Sequence, residues 1–444
     1  MWPWVKLQTV DRSLQDKARK YRWIIFSLLA LCYVLVYFHR LCPAVLALDL
    51  MRDLQAGGAL AGILSGAYFY PYALMQLPAG LLADSWGPRK TITLFFTIAF
   101  LGSILLGMAP SVLWAVMGRA LVGLGVAMLF VPTLKILAEW FHSDEFAFMT
   151  GILMAMGGVG SLSATVPLVR LNQYMGWRNA FIVIGIFTLF LALLVWIFVR
   201  NRPSDFGWPQ PVKGMAPPSG DNSTRLIQGA AQVLSTPAFW PLAVWFFCNC
   251  GIFFAIGGLW GGPYLIQVYH LTKTEAGRIL SMIAVGMVLG SPMLSVVSDK
   301  VVKGRKQVIV FSSGIMLILM IVFYTFPATI PLPVLYGLFF LLSIFGSAIV
   351  TIGFTTNKEL FPIAISGTAT GLINLFPFAG GAFFQPVAGA LLEHYGKQNG
   401  IYTIQGYTAM FLLLLGASIV AFFSSLLLRE TKSLHPKSFQ TEHK

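Results

Sequence analysis

The sequence predicts an all-α membrane protein of twelve transmembrane helices, arranged as two pseudo-symmetric six-helix bundles, and three observations predict it. The 444 residues are 57% apolar and 10% charged, against about 25% charged in an ordinary soluble domain. Apolar runs long enough to cross a bilayer core, which takes roughly 20 helical residues, recur twelve times. Landmarks in the first six runs return in the last six at a nearly constant offset.

The first run opens at Trp23–Phe38, and the next five cover Ala59–Leu82, Thr91–Met108, Val112–Leu137, Phe148–Val169 and Ala180–Val199. After a polar stretch the runs resume at Phe239–Val268, Gly277–Val297, Val308–Phe326, Val334–Thr356, Ile365–Leu392 and Tyr407–Leu428. The expected plan is a cytoplasmic N-terminal segment (1–22), an N-terminal bundle (23–199), a cytoplasmic linker (200–237), a C-terminal bundle (238–428) and a cytoplasmic tail (429–444). The linker is marked by its Pro, Gly, Ser and Asp content. No small-residue cleavage site follows the first run, so it reads as an uncleaved helix. Cys32, Cys42, Cys248 and Cys250 all fall inside apolar runs without metal-ligand spacing and read as buried free thiols.

The net charge of +14 is distributed by side of the membrane. With both termini inside, cytoplasmic segments hold 21 of the 30 basic residues, among them Lys17, Arg19, Lys20, Arg22, Arg89, Lys90, Arg200, Arg202, Lys303, Arg305 and Lys306. The other side holds Arg52, Arg170, Arg178, Lys273, Arg278 and Lys397, and Arg40, Arg119 and Lys135 lie within apolar helices. This asymmetry is a topogenic signal that places both termini in the cytoplasm. It leaves no basic–aromatic patch in a soluble segment, so no nucleic acid is expected as a partner.

The second and eighth runs are each followed by an Asp, a Gly and a basic pair: Asp84 with Arg89–Lys90, and Asp299 with Arg305–Lys306, the two Asp 215 positions apart. The fourth and tenth runs end in Glu139 and Glu359, 220 apart. Gly157–Gly158 and Pro167 in the fifth return as Gly380–Gly381 and Pro386 in the eleventh. Repeated halves with a site at their interface near the midplane are a signature of transporter folds.

On these residues the chain resembles the major facilitator superfamily over its whole length. GLLADSWGPRK (Gly80–Lys90) looks like that superfamily's motif between helices 2 and 3, and RALVGLG (Arg119–Gly125) resembles its helix 4 motif. VYFHR (Val36–Arg40) and WFHSDEFA after the fourth run look similar to organic-anion transporter branches. GWRNAF and NRPSDFGWP, on either side of the sixth run, are similar to organophosphate antiporters, anion–cation symporters and a related dipeptide-transporting group. The resemblance implies that Asp84, Arg89, Lys90 and Glu139, repeated as Asp299, Arg305 and Glu359, form clusters that hold the cytoplasmic side shut in the outward-facing state. Glu139 is placed to accept Arg89 or Lys90.

A charge at bilayer depth costs at least about 2.5–3.5 kcal/mol, so it marks an aqueous path, a partner or a snorkelling end. Arg40 lies ~27 Å along the first helix from Arg22, on one face with Tyr33, Tyr37 and Ala44. Arg119 reaches a similar depth. A cavity lined by both favours an anion, since a guanidinium grips carboxylate or phosphate bidentately. The second half offers Asn249 and Trp260 on the seventh run and Asn374 and Gln385 on the eleventh, where Asn374, Phe378, Gly381 and Gln385 share a face. A membrane Asn also serves as glue between helices. Where anion–cation symporters carry an Asp beside the helix 1 Arg, this chain has His39, and where they carry a Glu after the helix 4 Arg, it has Val126. His39 is then the candidate proton site.

The function expected is secondary active or facilitative transport of a small organic anion or zwitterion (carboxylate, organophosphate or peptide) by alternating access. A multidrug or metabolite exporter, suggested by 36 Phe and 17 Met, and a transporter-like solute receptor are the alternatives. No enzyme motif and no phosphate-binding loop are present, so neither catalysis nor a cofactor or metal is expected. The expected partners are a small-molecule substrate, a coupling ion and the lipid bilayer. The protein is expected to act as a monomer in a bacterial inner (plasma) membrane.

Overall fold

The computed structural model describes residues 3–209 and 222–431. The ends of the chain expected as termini, Met1–Trp2 and 432–444, and the Pro-rich middle of the linker, 210–221, lie outside the described residues. The fold is all-helical apart from one short hairpin. In chain order, α1 is Pro3–Leu41 continued by Pro43–Asp53, and α2 is built of Gly58–Gly66, Phe69–Leu74 and Gln76–Ser85. α3 is Pro88–Gly107, and α4 is Val112–Ala127 with Phe130–Trp140. α5 is Ser143–Ser163 and runs on into the first turns of Val166–Phe198, until Gly176 turns the chain and α6 takes the remainder. In the second half, α7 is Phe239–Ala255, Ile256–Trp260 and Gly261–Val268, and α8 is Lys273–Val296 with Val297–Val301. α9 is Lys306–Thr325, and α10 is Leu332–Ser343, Ile344–Ala348 and Val350–Leu360. α11 is Ile363–Ile373 with Leu375–His394, and α12 is Ile404–Leu426. The hairpin pairs β1 (Lys397–Gln398) with β2 (Ile401–Tyr402) between α11 and α12.

Ten of these helices are long and apolar enough by themselves to span a membrane. The other two spans are α2, which is cut into three pieces, and the apolar part of α5. An even number of crossings puts the linker and both described ends on one face, the terminal face; the hairpin lies on the far face.

The breaks have identifiable causes. Proline has no N–H and its ring crowds the carbonyl four residues earlier. α1 accordingly breaks at Cys42, just before Pro43. α7, α8 and α10 instead each contain one wide turn closed by an i→i+5 bond, such as Val302 N–H to Val297 O at 2.8 Å and Ile349 N–H to Ile344 O at 3.0 Å. Such turns cluster at functional sites in helices. The irregularities themselves repeat between halves: the α1 break matches the wide turn of α7, and the α4 break at Met128–Leu129 matches the wide turn of α10. α2 passes to α3 through Gly87, whose φ of 85° is open to glycine but strained for other residues.

Each half is a bundle, and the halves meet along α2 with α11, α5 with α8, and α1 with α7. Contact between α2 and α11 is backbone on backbone. A Cβ on Gly58 would fall 2.5 Å from the Gly389 carbonyl oxygen, and one on Gly62 would fall 2.5 Å from that of Gln385. Gly262 of α7 sits more tightly still on the Ala44 carbonyl of α1. Small residues at four-residue spacing allow this approach, which in lipid replaces the missing hydrophobic drive between helices. At the far face an ion pair and a helix cap join the halves. Lys273 Nζ lies 2.6 Å from Asp49 Oδ1, and Glu393 accepts the Ala59 N–H at the start of α2 at 3.0 Å. At the terminal face, the pairs Arg22–Glu145, Lys135–Asp84, Arg202–Glu139, and Arg305 with Asp299 and Glu359 each lie within one half.

Closure at the far face is therefore testable. A Cβ on Gly277 would lie 3.6 Å from the Val166 Cα, which puts a Cys pair at these positions within disulfide reach. Val166→Cys with Gly277→Cys is expected to form an interhalf disulfide readily. Adding Gly62→Val, which collides with α11, is expected to suppress it. Unchanged cross-linking in the triple variant would show that the glycine seam does not govern closure.

Candidate functional site

Arg40 lies two residues before the α1 break and is 7% exposed. Its guanidinium carbon is 4.4 Å from the Tyr37 ring, 5.0 Å from the Tyr72 ring and 5.1 Å from the Phe378 ring. Tyr37 and Tyr72 belong to the first half and Phe378 to the second, so the cation sits on the seam. Among the described residues no carboxylate comes within ion-pairing distance of it, and its buried Nε has no protein partner. Aromatic faces attract a cation through their quadrupole but leave its charge uncompensated. The cage continues as an aromatic layer across the seam: Tyr72 and Phe378 at 4.3 Å, Phe69 and Phe254 at 4.7 Å. Tyr33 stacks edge-on to Tyr37 at 5.3 Å, and its hydroxyl donates to the Met154 sulfur. One turn along α2 from Tyr72, Gln76 Oε1 accepts from Asn374 Nδ2 across the seam at 2.6 Å.

Arg119 is placed differently. It is 2% exposed, and its Nη1 donates to the His39 carbonyl at 2.8 Å. That carbonyl is the one Pro43 leaves without its helical donor. The guanidinium also lies 5.1 Å from the Tyr68 ring, while the Tyr68 hydroxyl donates to Val36 O at 3.3 Å. Thus the two arginines expected to share one cavity both lie beside Tyr68 but point apart: Arg40 faces the seam, and Arg119 turns to the His39 carbonyl of the first half. His39 is fully buried, its ring stacked at 6.3 Å from Phe181, with neither ring nitrogen bonded to protein.

In the second half, three of the four expected contacts are turned to backbone carbonyls. Asn249 Nδ2 donates to Phe345 O and Gly346 O inside the wide turn of α10, at 3.1 and 3.2 Å. Trp260 Nε1 donates to Gln385 O at 3.0 Å, and Gln385 Nε2 donates to Phe254 O at 2.8 Å. These bonds pin α7 to α10 and α11. Of the four, Asn374 is the one that reaches the other half.

The motif residues at the terminal face form two clusters. Asp84 pairs with Lys135 at 2.6 Å, and Lys135 also donates to Ala83 O at 2.9 Å. Lys135, a charge within an apolar helix, therefore turns to a carboxylate and a helix end. Glu139 pairs with Arg202 at 3.5 Å, in place of the Arg89 or Lys90 expected from its position at the end of the fourth run. Arg89 lies over the Trp196 ring at 4.2 Å and donates from Nε to Trp196 O at 2.9 Å; Lys90 is exposed. The second cluster assembles as the repeat suggested: Arg305 Nη1 meets Asp299 at 2.6 Å and Nη2 meets Glu359 at 3.2 Å. Among the described residues no group of His, Cys, Asp and Glu could hold a metal ion.

Sequence reasoning missed Tyr68, Tyr72 and Gln76, although their four-residue spacing in α2 is a readable polar stripe. It also missed the far-face pair of Asp49 and Lys273, 224 residues apart, for which no local pattern exists. The Gln76–Asn374 bond yields a direct expectation. Asn374→Ala leaves the Gln76 side-chain oxygen unpaired on the seam and should weaken contact between the halves by about 0.6–1.7 kcal/mol. Slower formation of the Val166–Gly277 cysteine cross-link would report it; an unaltered rate would assign the bond no role in holding the halves together.

Comparison with known proteins places this architecture. The family model for the Major Facilitator Superfamily matches residues 29–272 and 260–444. The chain is 24% identical to a protein of Chlamydia pneumoniae described as a probable hexose phosphate transport protein, over 93% of this chain and 92% of that one. It is 25% identical to a protein of Bacillus subtilis described as a probable galactarate/D-glucarate transporter, over 90% and 93%. Among solved structures, the fold resembles that of a bacterial homologue of the human lysosomal transporter Spinster, with a TM-score of 0.72 at 18% identity, covering 92% of this chain and 98% of that one. The chain is an integral, multi-pass membrane protein that belongs to the major facilitator superfamily of transporters.

Proposed function

We propose that the protein carries small organic anions across the membrane by alternating access, with Arg40 as the anchor for the substrate's carboxylate or phosphate. The observation that carries this reading is the buried, uncompensated guanidinium of Arg40 on the seam between the halves. A cation in that position is stabilised by an anion that enters with it, and a group gripped by both halves is one whose binding their relative movement controls. The names of the relatives point the same way: hexose phosphate, galactarate and glucarate are all small anions, and a third relative, 29% identical over 41% of this chain, is described as a probable sulfoacetate transporter. Tyr37, Tyr72, Phe378 and the Gln76–Asn374 pair complete the proposed site. Tyr33 extends its aromatic wall.

In this reading the two bundles rock about the seam. The structure's interhalf contacts at the far face correspond to closure there. The clusters of Asp84, Lys135, Glu139 and Arg202, and of Asp299, Arg305 and Glu359, act at the terminal face. The excess of Lys and Arg on that face orients it to the cytoplasm, in the plasma membrane of a bacterium.

Thermal melting of the purified protein against organic acids, sugar phosphates, dipeptides and lipophilic cations tests the anchor, since a ligand that binds the folded state raises the melting temperature by mass action. An anion should stabilise the wild type. Arg40→Ala should weaken its binding roughly 10–100-fold, the worth of one or more hydrogen bonds to a charged group. Arg40→Lys should recover part of that loss, because it keeps the charge without the planar fork. Stabilisation by lipophilic cations alone, or an Arg40→Ala protein that responds like the wild type, would turn the assignment toward an exporter of apolar compounds.

The terminal-face clusters give a second expectation. Exposed ion pairs are each worth about 0–1 kcal/mol, enough to tilt two states of similar energy. Asp84→Asn should lower the turnover of the reconstituted carrier and leave substrate affinity intact. Lost affinity at normal turnover would contradict a role in the conformational step.

A further inference from the structure

We infer that the Arg40 site selects a monoanion with a flat apolar body, an aromatic carboxylate, over dianions and over polyhydroxylated acids. This rests on Arg40 as the anchor and adds what the surroundings of the anchor select.

Charge sets the first condition. Of the three basic residues within apolar helices, Arg40, Arg119 and Lys135, two are committed elsewhere. Lys135 pairs with Asp84 at the terminal face. Arg119 donates Nη1 to the His39 carbonyl, and its Nε and Nη2 are sealed from a water-sized sphere. Arg40 keeps 7% of its surface open on the seam, and the nitrogen it has sealed is Nε. Among the described residues it is thus the one cation placed to meet a ligand there. An arginine keeps its single charge at any accessible pH, and one fixed charge matches one carboxylate. A second carboxylate, or the second charge of a phosphate monoester, would enter an aromatic layer with no cation to compensate it.

Polarity and shape set the second. The side-chain donors around the layer are mostly spent on the protein. Gln76 donates to Tyr72 O at 3.0 Å and accepts from Asn374. The Tyr68 and Tyr33 hydroxyls donate to Val36 O and to the Met154 sulfur, and Trp260 and Gln385 donate to carbonyls of α11 and α7. A sugar acid carries a hydroxyl on nearly every carbon, and each needs a partner once its water is gone; an aromatic body needs none. The rings themselves are arranged for stacking. Phe378 lies at 21° to Phe69 and 22° to Phe254, with centroids 6.2 and 6.1 Å apart. Phe69 comes from the first half and Phe254 and Phe378 from the second, so a ring inserted among them exchanges contacts between the halves for contacts of the same kind with the ligand. Its carboxylate meets the guanidinium at the edge of the same layer.

The test is melting of the full-length protein with four acids that vary ring and charge separately: benzoate, terephthalate, gluconate and D-glucarate. Benzoate should half-saturate the wild type at a concentration at least about tenfold below each of the others, since one unmatched polar or charged group costs roughly that factor or more. Arg40→Ala should lose the benzoate response. Phe254→Leu keeps an apolar side chain at a ring outside the three that surround the cation. It should narrow the advantage of benzoate over gluconate roughly 2–10-fold, the worth of one aromatic pair. That readout is a ratio within one protein, so a general loss of stability cancels. Terephthalate binding as tightly as benzoate would overturn the charge condition, and gluconate doing so would overturn the selection for an apolar body. An unchanged ratio in Phe254→Leu would remove the aromatic layer from the site, and a benzoate response that survives in Arg40→Ala would place the acid elsewhere. If D-glucarate binds best and Arg40→Ala loses it, the anchor stands and this substrate class falls; if no acid acts on the wild type, the anchor falls as well. The wild-type ranking decides even where a variant does not fold.

Discussion

Inside a bilayer every backbone carbonyl must find a donor within the protein, because no water is there to supply one. This constraint organises the molecule. Prolines and wide turns release carbonyls in the middle of helices, and side chains from neighbouring helices recapture them. Pro43 releases the His39 carbonyl, and Arg119 of α4 takes it. Pro386 releases the Ala382 carbonyl, and the Tyr70 hydroxyl takes it from the other half at 3.0 Å. The wide turn of α10 receives Asn249, and Gln385 donates to Phe254 O beside the wide turn of α7. Polar side chains that look in sequence like a substrate cavity are thus largely committed to holding broken helices together.

Those same breaks position the site. The kink at Cys42 lets α1 lean against α7, where the bare backbone of Gly262 admits the Ala44 carbonyl. Arg40, just before the kink, is delivered to the seam with Tyr37 one helical turn away on the same face. Helices that were straight would place neither the arginine nor the aromatic layer of Phe69, Tyr72, Phe254 and Phe378 at the meeting of the halves.

The seam is held by many weak terms rather than one strong one. Glycine contacts, the Gln76–Asn374 bond and the Lys273–Asp49 pair are each individually modest, which suits the proposed alternation between two states of similar energy. Within a half the bonding is denser: Arg22 grips Glu145 with two bonds of 2.7 and 2.8 Å, tying α1 to α5. Rigid bundles joined by a soft seam are what the proposed rocking requires.

The sequence by itself determined the class of fold. Run length, apolar content and the repeat of Asp84, Glu139 and Pro167 as Asp299, Glu359 and Pro386 are local or periodic signals, and bilayer thickness turns them into spanning helices. It also marked Arg40 and Arg119, because a charge in an apolar run is conspicuous wherever it points. What the tertiary structure alone decided was direction and partnership. Helical periodicity says which residues share a face, but not which neighbour that face meets. Arg119 went to a carbonyl freed by Pro43, Lys135 to Asp84, Glu139 to Arg202, and Asp49 to a lysine on the other half. Partners separated by 51 to 224 positions are chosen by how kinked helices pack, and that choice depends on every contact in the bundle at once.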